Sequence, residues 1–220
     1  MGTRMKALIN RILGSRNQGA GKLFKNAAYN NVEPELFYFD KTQGMITLEE
    51  AALLYTLAKE LSAGCIVEVG SYRGRSTVAL GRGSIDGNRV PVYAIEPHEE
   101  FTGALGGKFG PEDRGAFYQA MLETGCYAIV RLVNLSSEIV APNWTKEIGL
   151  LWIDGDHTYE GVKRDFECWL PHLISDAIIA FDDSLHPELG PKRLIHELTA
   201  GKQFKKTELV GKITVLRRRR

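Results

Sequence analysis

Three aspartates and a histidine stand directly after two apolar runs of the chain. Asp154 ends one run, with His157 three residues further on, and Asp182 and Asp183 end another. If the two runs are neighbouring parallel strands, their carboxyl ends meet at one sheet edge and bring the three carboxylates together. Such a cluster repels itself without a cation, and its hard oxygen atoms suit Mg²⁺ or Mn²⁺. We therefore predict Asp154, Asp182 and Asp183 as metal ligands; the alternative is that Asp183 only bonds backbone in the next turn and no metal binds.

His157 has two interpretations. As a general base, its imidazole would have a pKa near neutrality and would take a proton from a hydroxyl group. As a structural residue, it would cap the helix that begins near Tyr159. Its position three residues after a predicted metal ligand favours catalysis, so we predict His157 and Asp154 as catalytic residues.

A second group of residues has the pattern of a nucleotide-type cofactor site. In the segment 66–77, Ile-Val-Glu-Val-Gly-Ser-Tyr-Arg-Gly-Arg-Ser-Thr, an apolar run enters a glycine-containing turn that opens a helix. Glu96 ends the next apolar run, where a βαβ unit holds the hydroxyls of a ribose. Glu68 stands where a dinucleotide site needs glycine. A carboxylate repels a pyrophosphate but attracts an ammonium group, which favours S-adenosylmethionine over NAD. The alternative for Glu68 is a structural acid bonded to nearby backbone.

The elements that must position these residues alternate along the chain. Apolar, often β-branched runs predict strands near 65–69, 90–95, 127–133, 149–153 and 177–181. Amphipathic patterns predict helices near 48–62, 75–82, 113–124, 159–170 and 189–200. A closing pair, 204–210 and 212–217, turns at Gly211 and predicts a final hairpin. This alternation indicates an α/β fold with a mostly parallel sheet covered on both faces. The glycine-rich loop 102–114 is long enough to act as a lid.

Composition limits the classes of partner. A net charge of +1 over 220 residues gives no indication of a nucleic-acid partner, and no apolar run is long enough for stable membrane insertion. Three scattered cysteines without metal spacing indicate reduced thiols and a cytoplasmic protein. We predict a basic N-terminal helix and connector over 1–44, which makes a homodimer plausible, and one catalytic domain over 45–220.

These motifs resemble the class I S-adenosylmethionine-dependent methyltransferases. More narrowly, they are similar to the macrocin- and mycinamicin-type sugar O-methyltransferases. The resemblance rests on Glu-x-Gly-x-x-x-Gly, the acid that ends the second strand, and Ile-Asp-Gly-Asp-His-x-Tyr-Glu-Gly-Val-x-x-Asp, which begins at Ile153. It covers roughly residues 45–217. It implies a doubly wound, Rossmann-like, seven-stranded, mostly parallel sheet with a C-terminal antiparallel hairpin.

The resemblance also implies roles for individual residues. His157 would be the base and Asp154, Asp182 and Asp183 the Mg²⁺ ligands for methylation of a hydroxyl on a sugar or similar small molecule. The predicted S-adenosylmethionine-binding residues are Glu68, Gly70, Ser71, Tyr72, Gly74, Ser76, Thr77, Glu96, Ser136, Ser137 and Asp154. The larger macrolide-sugar enzymes have an N-terminal domain where this chain has only a short basic segment. The resemblance therefore does not imply the identity of the methyl acceptor or the oligomeric state.

Other interpretations stay open at this point. A catechol-type enzyme would use the same three metal ligands but usually has a lysine as its base. A small-molecule methyltransferase without metal, an NAD-dependent oxidoreductase and a non-catalytic cofactor-binding module are the remaining alternatives.

Overall fold

The computed structural model describes residues 42–219. The predicted N-terminal helix therefore lies outside the described residues, and the division at residue 44 and the homodimer stay predictions. Gln43 and Gly44 already contact the domain that follows, because the guanidinium of Arg73 donates to the Gln43 side chain and that of Arg75 to the Gly44 carbonyl. Within the described range, no helix has the length and apolar character needed to cross a bilayer.

Strands and helices alternate as the sequence predicts. The strands are β1 (Cys65–Val69), β2 (Val92–Ile95), β3 (Phe101–Thr102), β4 (Lys108–Phe109), β5 (Val130–Val133), β6 (Ile148–Ile153), β7 (Leu173–Phe181), β8 (Phe204–Val210) and β9 (Ile213–Arg218). The helices are α1 (Leu48–Glu60), α2 (Arg75–Asp86), α3 (Asp113–Glu123), α4 (Ser137–Val140), α5 (Tyr159–Trp169) and α6 (Gly190–Ala200), with 3₁₀ turns at Cys126–Ala128, Ala141–Asn143 and Leu170–His172.

Seven strands form one sheet in the order β5-β2-β1-β6-β7-β9-β8. The pairs β5–β2, β2–β1, β1–β6 and β6–β7 are parallel, whereas β9 pairs antiparallel with both β7 and β8. This confirms the predicted fold class. Because β1, β6 and β7 are adjacent and parallel, the turns that follow Val69, Ile153 and Phe181 lie at the same edge of the sheet.

Helices cover both faces of the sheet, so its central strands are buried throughout. Every residue of β1 and β6 is buried, and Trp152, Trp169 and Phe181 are among the largest fully buried side chains. Such strands read as continuous apolar runs because neither face meets water. Glu68, in the middle of this environment, is therefore an exception that needs an explanation.

Element ends differ from the predictions where tertiary contacts decide them. Helix α2 continues to Asp86 because Gly81 and Gly83, poor helix formers, pack closely against Cys126 and the Tyr55 carbonyl. Strand β5 begins only at Val130, since the preceding residues form a 3₁₀ turn. The predicted lid loop contains most of the hairpin β3–β4, which begins one residue earlier at Phe101, and the start of α3.

Candidate active site

One cavity of about 480 Å³ lies at the carboxyl edge of the parallel strands. The structure brings most of the predicted site residues to its wall, although they come from distant parts of the chain. Those that line it are Gly70, Ser71, Tyr72, Ser76, Glu96, Ser136, Ser137, Asp154, His157, Asp182 and Asp183. Glu68, Gly74 and Thr77 are not part of the lining.

The turn after β1 is shaped by a close approach of two backbones. Gly70 has φ +84°, and a Cβ atom there would lie 2.2 Å from the carbonyl oxygen of Asp154. The next residue, Ser71, is buried at the cavity wall, and its hydroxyl has no hydrogen-bond partner among the described residues. A buried hydroxyl without a partner is costly, so Ser71 fits a polar ligand in the cavity.

Glu96 is held in place at the end of β2. The backbone N–H groups of Tyr72 and His98 each donate to one of its carboxylate oxygens at 3.0 Å. These bonds leave lone pairs of the carboxylate to accept from hydroxyl groups in the cavity. His98 itself is buried between the Tyr72 carbonyl (2.8 Å) and the Asn134 amide (3.1 Å), so it supports this turn and does not face the cleft as a ligand-binding residue.

Glu68 lies beneath the turn, fully buried. Its two carboxylate oxygens accept hydrogen bonds from the hydroxyls of Ser76 and Thr77, both at 2.5 Å. Burial raises the pKa of Glu68 to about 8, although these hydroxyls favour the charged form. The predicted direct contact with a cofactor ammonium is not what this geometry favours: Glu68 ties the end of β1 to the first turn of α2. Gly74, with φ +91° at the start of α2, likewise shapes the turn and packs against Phe117 and Met121.

The burial of Glu68 predicts a pH-dependent stability. Between about pH 4.5, its ordinary pKa, and about pH 8 the unfolded chain ionises Glu68 while the folded chain keeps it protonated, so wild-type stability falls as pH rises. Glu68→Gln cannot ionise. Its free energy of unfolding relative to wild type should therefore rise by on the order of 3 kcal/mol from about pH 5 to about pH 8. Urea unfolding measures this, with exposed Glu123→Gln as control; a pH-independent difference for Glu68→Gln would contradict the assignment.

Ser136 and Ser137 line the other side of the cavity with Asp165, a residue that the sequence motif contained but that was given no role. Ser137 accepts a hydrogen bond from the indole N–H of Trp169 at 3.0 Å, which fixes its hydroxyl. Burial raises the pKa of Asp165 to about 6. This end of the cavity thus presents hydroxyl and carboxyl groups to a ligand.

The predicted acid–histidine cluster is assembled in the structure. Nε2 of His157 lies 3.2 Å from Oδ1 of Asp154, and Nδ1 lies 3.0 Å from Oδ2 of Asp183. Burial acts to lower the pKa of His157, but the hydrogen bonds and charges of these two carboxylates raise it to about 10. The same hydrogen bond lowers the pKa of Asp183 to about 2. His157 is therefore an imidazolium between two carboxylates in this arrangement.

Lys212 is the cluster member that sequence reasoning missed. Its Nζ atom lies 2.5 Å from Oδ2 of Asp182 and 3.1 Å from Oδ1 of Asp183. Burial acts to lower the pKa of Lys212, but the carboxylates raise it above its ordinary value, so Lys212 is a cation here and not a base. The only local signal was the Gly-Lys turn of the final hairpin, and the sheet order that brings this turn to Asp182 is not visible in the sequence.

Family comparison decides between the candidate classes. The sequence pattern described as "Methyltransferase domain" matches residues 67–184, more than half of the chain. The chain belongs to this methyltransferase domain family. The oxidoreductase alternative is thereby set aside, while the narrower sugar O-methyltransferase resemblance stays a prediction.

Solved structures with the same fold agree with this assignment. The methyltransferase is similar to the O-methyltransferase TomG from Streptomyces achromogenes, involved in tomaymycin synthesis and solved with SAM (18% identity, TM-score 0.61, 100% of both chains covered). It is also similar to an O-methyltransferase from Bacillus cereus in complex with SAH (16% identity, TM-score 0.64, 98% of both chains). A third, SAH-bound methyltransferase PaMTH1 from Podospora anserina, has 15% identity and a TM-score of 0.63, covering 100% of this chain and 97% of its own. At sequence identities of 15% to 18%, the similarity to these three structures shows a shared fold alone.

A metal ion fits part of the predicted ligand set in this methyltransferase. Ligand atoms of Asp154, His157 and Asp182 lie within 4.8 Å of one another. Oδ1 of Asp182 is buried and has no hydrogen-bond partner among residues 42–219, which leaves a carboxylate oxygen for a cation. The ligand set predicted from the sequence contained Asp183 where this set contains His157. Asp183 instead uses its two oxygens on His157 and Lys212.

The hairpin β3–β4 contributes apolar wall to the same cavity. Phe109 packs edge-on against Tyr72, with ring centroids 5.1 Å apart, and Phe101 lies 6.0 Å from Phe109. Phe101, Phe109 and the exposed Leu105 line the cavity of the methyltransferase. Its role as a lid stays a prediction.

Proposed function

We propose that this methyltransferase transfers the methyl group of S-adenosylmethionine to a hydroxyl oxygen of a small molecule. The observation that carries the proposal is that one cavity is lined both by the turn at Gly70 with Glu96 and by the cluster of Asp154, His157 and Asp182. The nucleoside that donates the methyl group and the hydroxyl group that accepts it would thus bind in the same cavity. SAM or SAH in the solved relatives, two of them O-methyltransferases, supports the same assignment.

The cofactor would be held by hydrogen bonds at several points of the turn. Glu96, fixed by two backbone N–H groups, would accept from the ribose hydroxyls, and the hydroxyl of Ser71 would meet the amino-acid portion. Ser136 and Ser137 would lie beside the adenine ring of the cofactor. These contacts orient the sulfonium, which already carries the reactive methyl group, so alignment is the main contribution of the protein.

The acceptor reaction would use His157 as the base. The acceptor oxygen forms a bond to the methyl carbon, the carbon–sulfur bond breaks, S-adenosylhomocysteine leaves, and the acceptor proton passes to the imidazole. His157 starts as an imidazolium with both ring nitrogens on carboxylates, so it accepts this proton only after it has lost one of its own to solvent and the bond from that nitrogen to Asp154 or Asp183 has been released. Acceptor binding in the cavity is the event we propose for that release.

A divalent cation such as Mg²⁺ belongs to the proposal. Asp154 and Asp182 would hold it, with Asp183 or His157 next to them, and when bound it would polarise an acceptor hydroxyl. Acceptors with two neighbouring oxygen atoms, as in a sugar or a catechol, suit such a cluster. The apolar wall from Phe101 and Phe109 suits the carbon face of a ring.

Methyl transfer from radiolabelled S-adenosylmethionine tests the function. We expect label in O-methylated products from a panel of sugars and catechols, and little from amines or thiols of matched size. Parallel reactions with EDTA or with added Mg²⁺ separate metal-assisted from metal-free transfer. Calorimetric titration with S-adenosylhomocysteine gives an independent control for cofactor binding. Label found only on nitrogen or sulfur, or no binding of S-adenosylhomocysteine by folded protein, would contradict the proposal.

A further inference from the structure

We infer that Lys212 is a tethered cation that competes with a divalent metal ion for Asp182 and Asp183, so that a metal binds only when the ammonium group withdraws. The inference rests on the proposed function in one respect, because it takes the acid cluster as the place where that function would use a cation. It concerns a residue outside the predicted ligand set and explains how three carboxylates coexist at one edge of the sheet.

Charge is the first argument. The Lys212 ammonium contacts one oxygen of Asp182 and one of Asp183. The side chain of Asp182 is only 2% exposed, so its charge has little help from water. Burial and the neighbouring Asp154 charge raise the pKa of Asp182, and Lys212 acts against them. The ammonium therefore supplies, from within the chain, positive charge that the acids require.

The second argument is that the backbone of Lys212 is fixed at both of its polar groups. Its N–H donates to Oε1 of Glu50 at 2.8 Å, and its carbonyl accepts from the N–H and the hydroxyl of Ser184 at 2.9 and 2.7 Å. Gly211 before it has φ +55°, and a Cβ atom there would overlap Glu50. The turn thus delivers the lysine stem to the cluster, and only the stem itself is left to move.

Withdrawal of the ammonium has a route. The Lys212 side chain is 30% exposed and lines the cavity, so rotation of its stem can carry the charge toward solvent. A cation that used the unpartnered Oδ1 of Asp182 would lie beside the ammonium, and two positive charges at that distance repel strongly. Metal and ammonium are therefore alternative occupants of one cluster.

Mn²⁺ binding, followed by the electron paramagnetic resonance of the free ion, tests this competition. Lys212→Met removes the charge and keeps most of the stem. We expect it to bind Mn²⁺ about tenfold more tightly than wild type, or better. Lys212→Arg, which keeps the charge, and Lys192→Met, which removes an exposed lysine on α6, should stay within about threefold of wild type.

A second readout does not depend on the binding signal. In EDTA, Lys212→Met should melt at a lower temperature than wild type, because the buried Asp182 then lacks its cationic partner, and Mg²⁺ should raise the melting temperature of the variant more than that of wild type. If Lys212→Met does not fold, Lys212→Gln is measured in its place. Folded charge-neutral variants that bind Mn²⁺ no more tightly than wild type, or not at all, would overturn the inference.

The same samples separate this inference from the proposed function. If S-adenosylhomocysteine binds and methyl transfer proceeds while removal of Lys212 leaves Mn²⁺ binding unchanged, the competition is wrong and the methyl transfer stands. If Mn²⁺ binding tightens in the variant while folded wild type binds no S-adenosylhomocysteine, the competition stands and the proposed function fails.

Discussion

Replacement of His157 by alanine is expected to lower turnover about 10²- to 10⁴-fold, the usual contribution of a general base, with little change in cofactor affinity. The imidazole stands between Asp154 and Asp183 at the acceptor end of the cavity, whereas the cofactor contacts that we propose come mainly from the turn after β1, from Glu96 and from Ser136 and Ser137. Turnover under saturating acceptor and calorimetric binding of S-adenosylhomocysteine measure the two effects separately. The affinity should remain within about threefold of wild type.

A matched control is available on another helix. His196 is an exposed histidine of α6, so His196→Ala should retain wild-type turnover and binding. A structural His157 would give a different result from a catalytic one. Its removal would lower cofactor affinity and turnover together, since loss of the imidazolium leaves Asp154 and Asp183 facing each other without their shared partner. Turnover within about tenfold of wild type would also remove His157 from the chemistry.

The strands that carry the site could be predicted from the sequence because they are buried on both faces. The runs that end at Ile153 and Phe181 are continuous and apolar over their last residues, so the ends of both strands and the acids directly after them were visible, whereas the start of β7 at Leu173, before the polar Ser175 and Asp176, was not. The parallel arrangement of β6 and β7 then brought Asp154 to Asp182 as predicted. In this region local sequence and global topology agree, which is the condition under which such inference succeeds.

Lys212 could not be predicted because its position depends on sheet order. Strand β9 lies between β7 and β8, which places the Gly211–Lys212 turn beside Asp182 across 30 residues of chain. The spacing of residues within the hairpin does not indicate that Asp182 is its neighbour. Glu68 is a related case: its place where a dinucleotide site has glycine suggested a contact with a cofactor ammonium, but the hydroxyls of Ser76 and Thr77, on the following helix, satisfy its carboxyl group internally. A buried carboxylate is assigned by its partners, and partners are a property of the fold.

The second large effect is expected for Gly70→Ala, which should lower the free energy of unfolding by about 4 kcal/mol or more. The φ of +84° disfavours any side chain, and the added Cβ would lie 2.2 Å from the Asp154 carbonyl oxygen. Relief of this overlap requires the ends of β1 and β6 to separate. That movement would break the bond from the Asp154 N–H to the Val69 carbonyl, now 2.8 Å long.

Urea unfolding of Gly70→Ala and Gly115→Ala measures the effect against a matched control. Gly115 lies exposed in α3, and an added Cβ atom there would meet no described atom within 4 Å, so its replacement should stabilise the protein by about 0.5 to 1 kcal/mol. Equal stabilities for the two variants would contradict the close approach at Gly70. Because Asp154 leaves its strand at that contact, any folded Gly70→Ala protein should also lose affinity for S-adenosylhomocysteine. The glycine that permits the fold is thus the one that positions the first acid of the site.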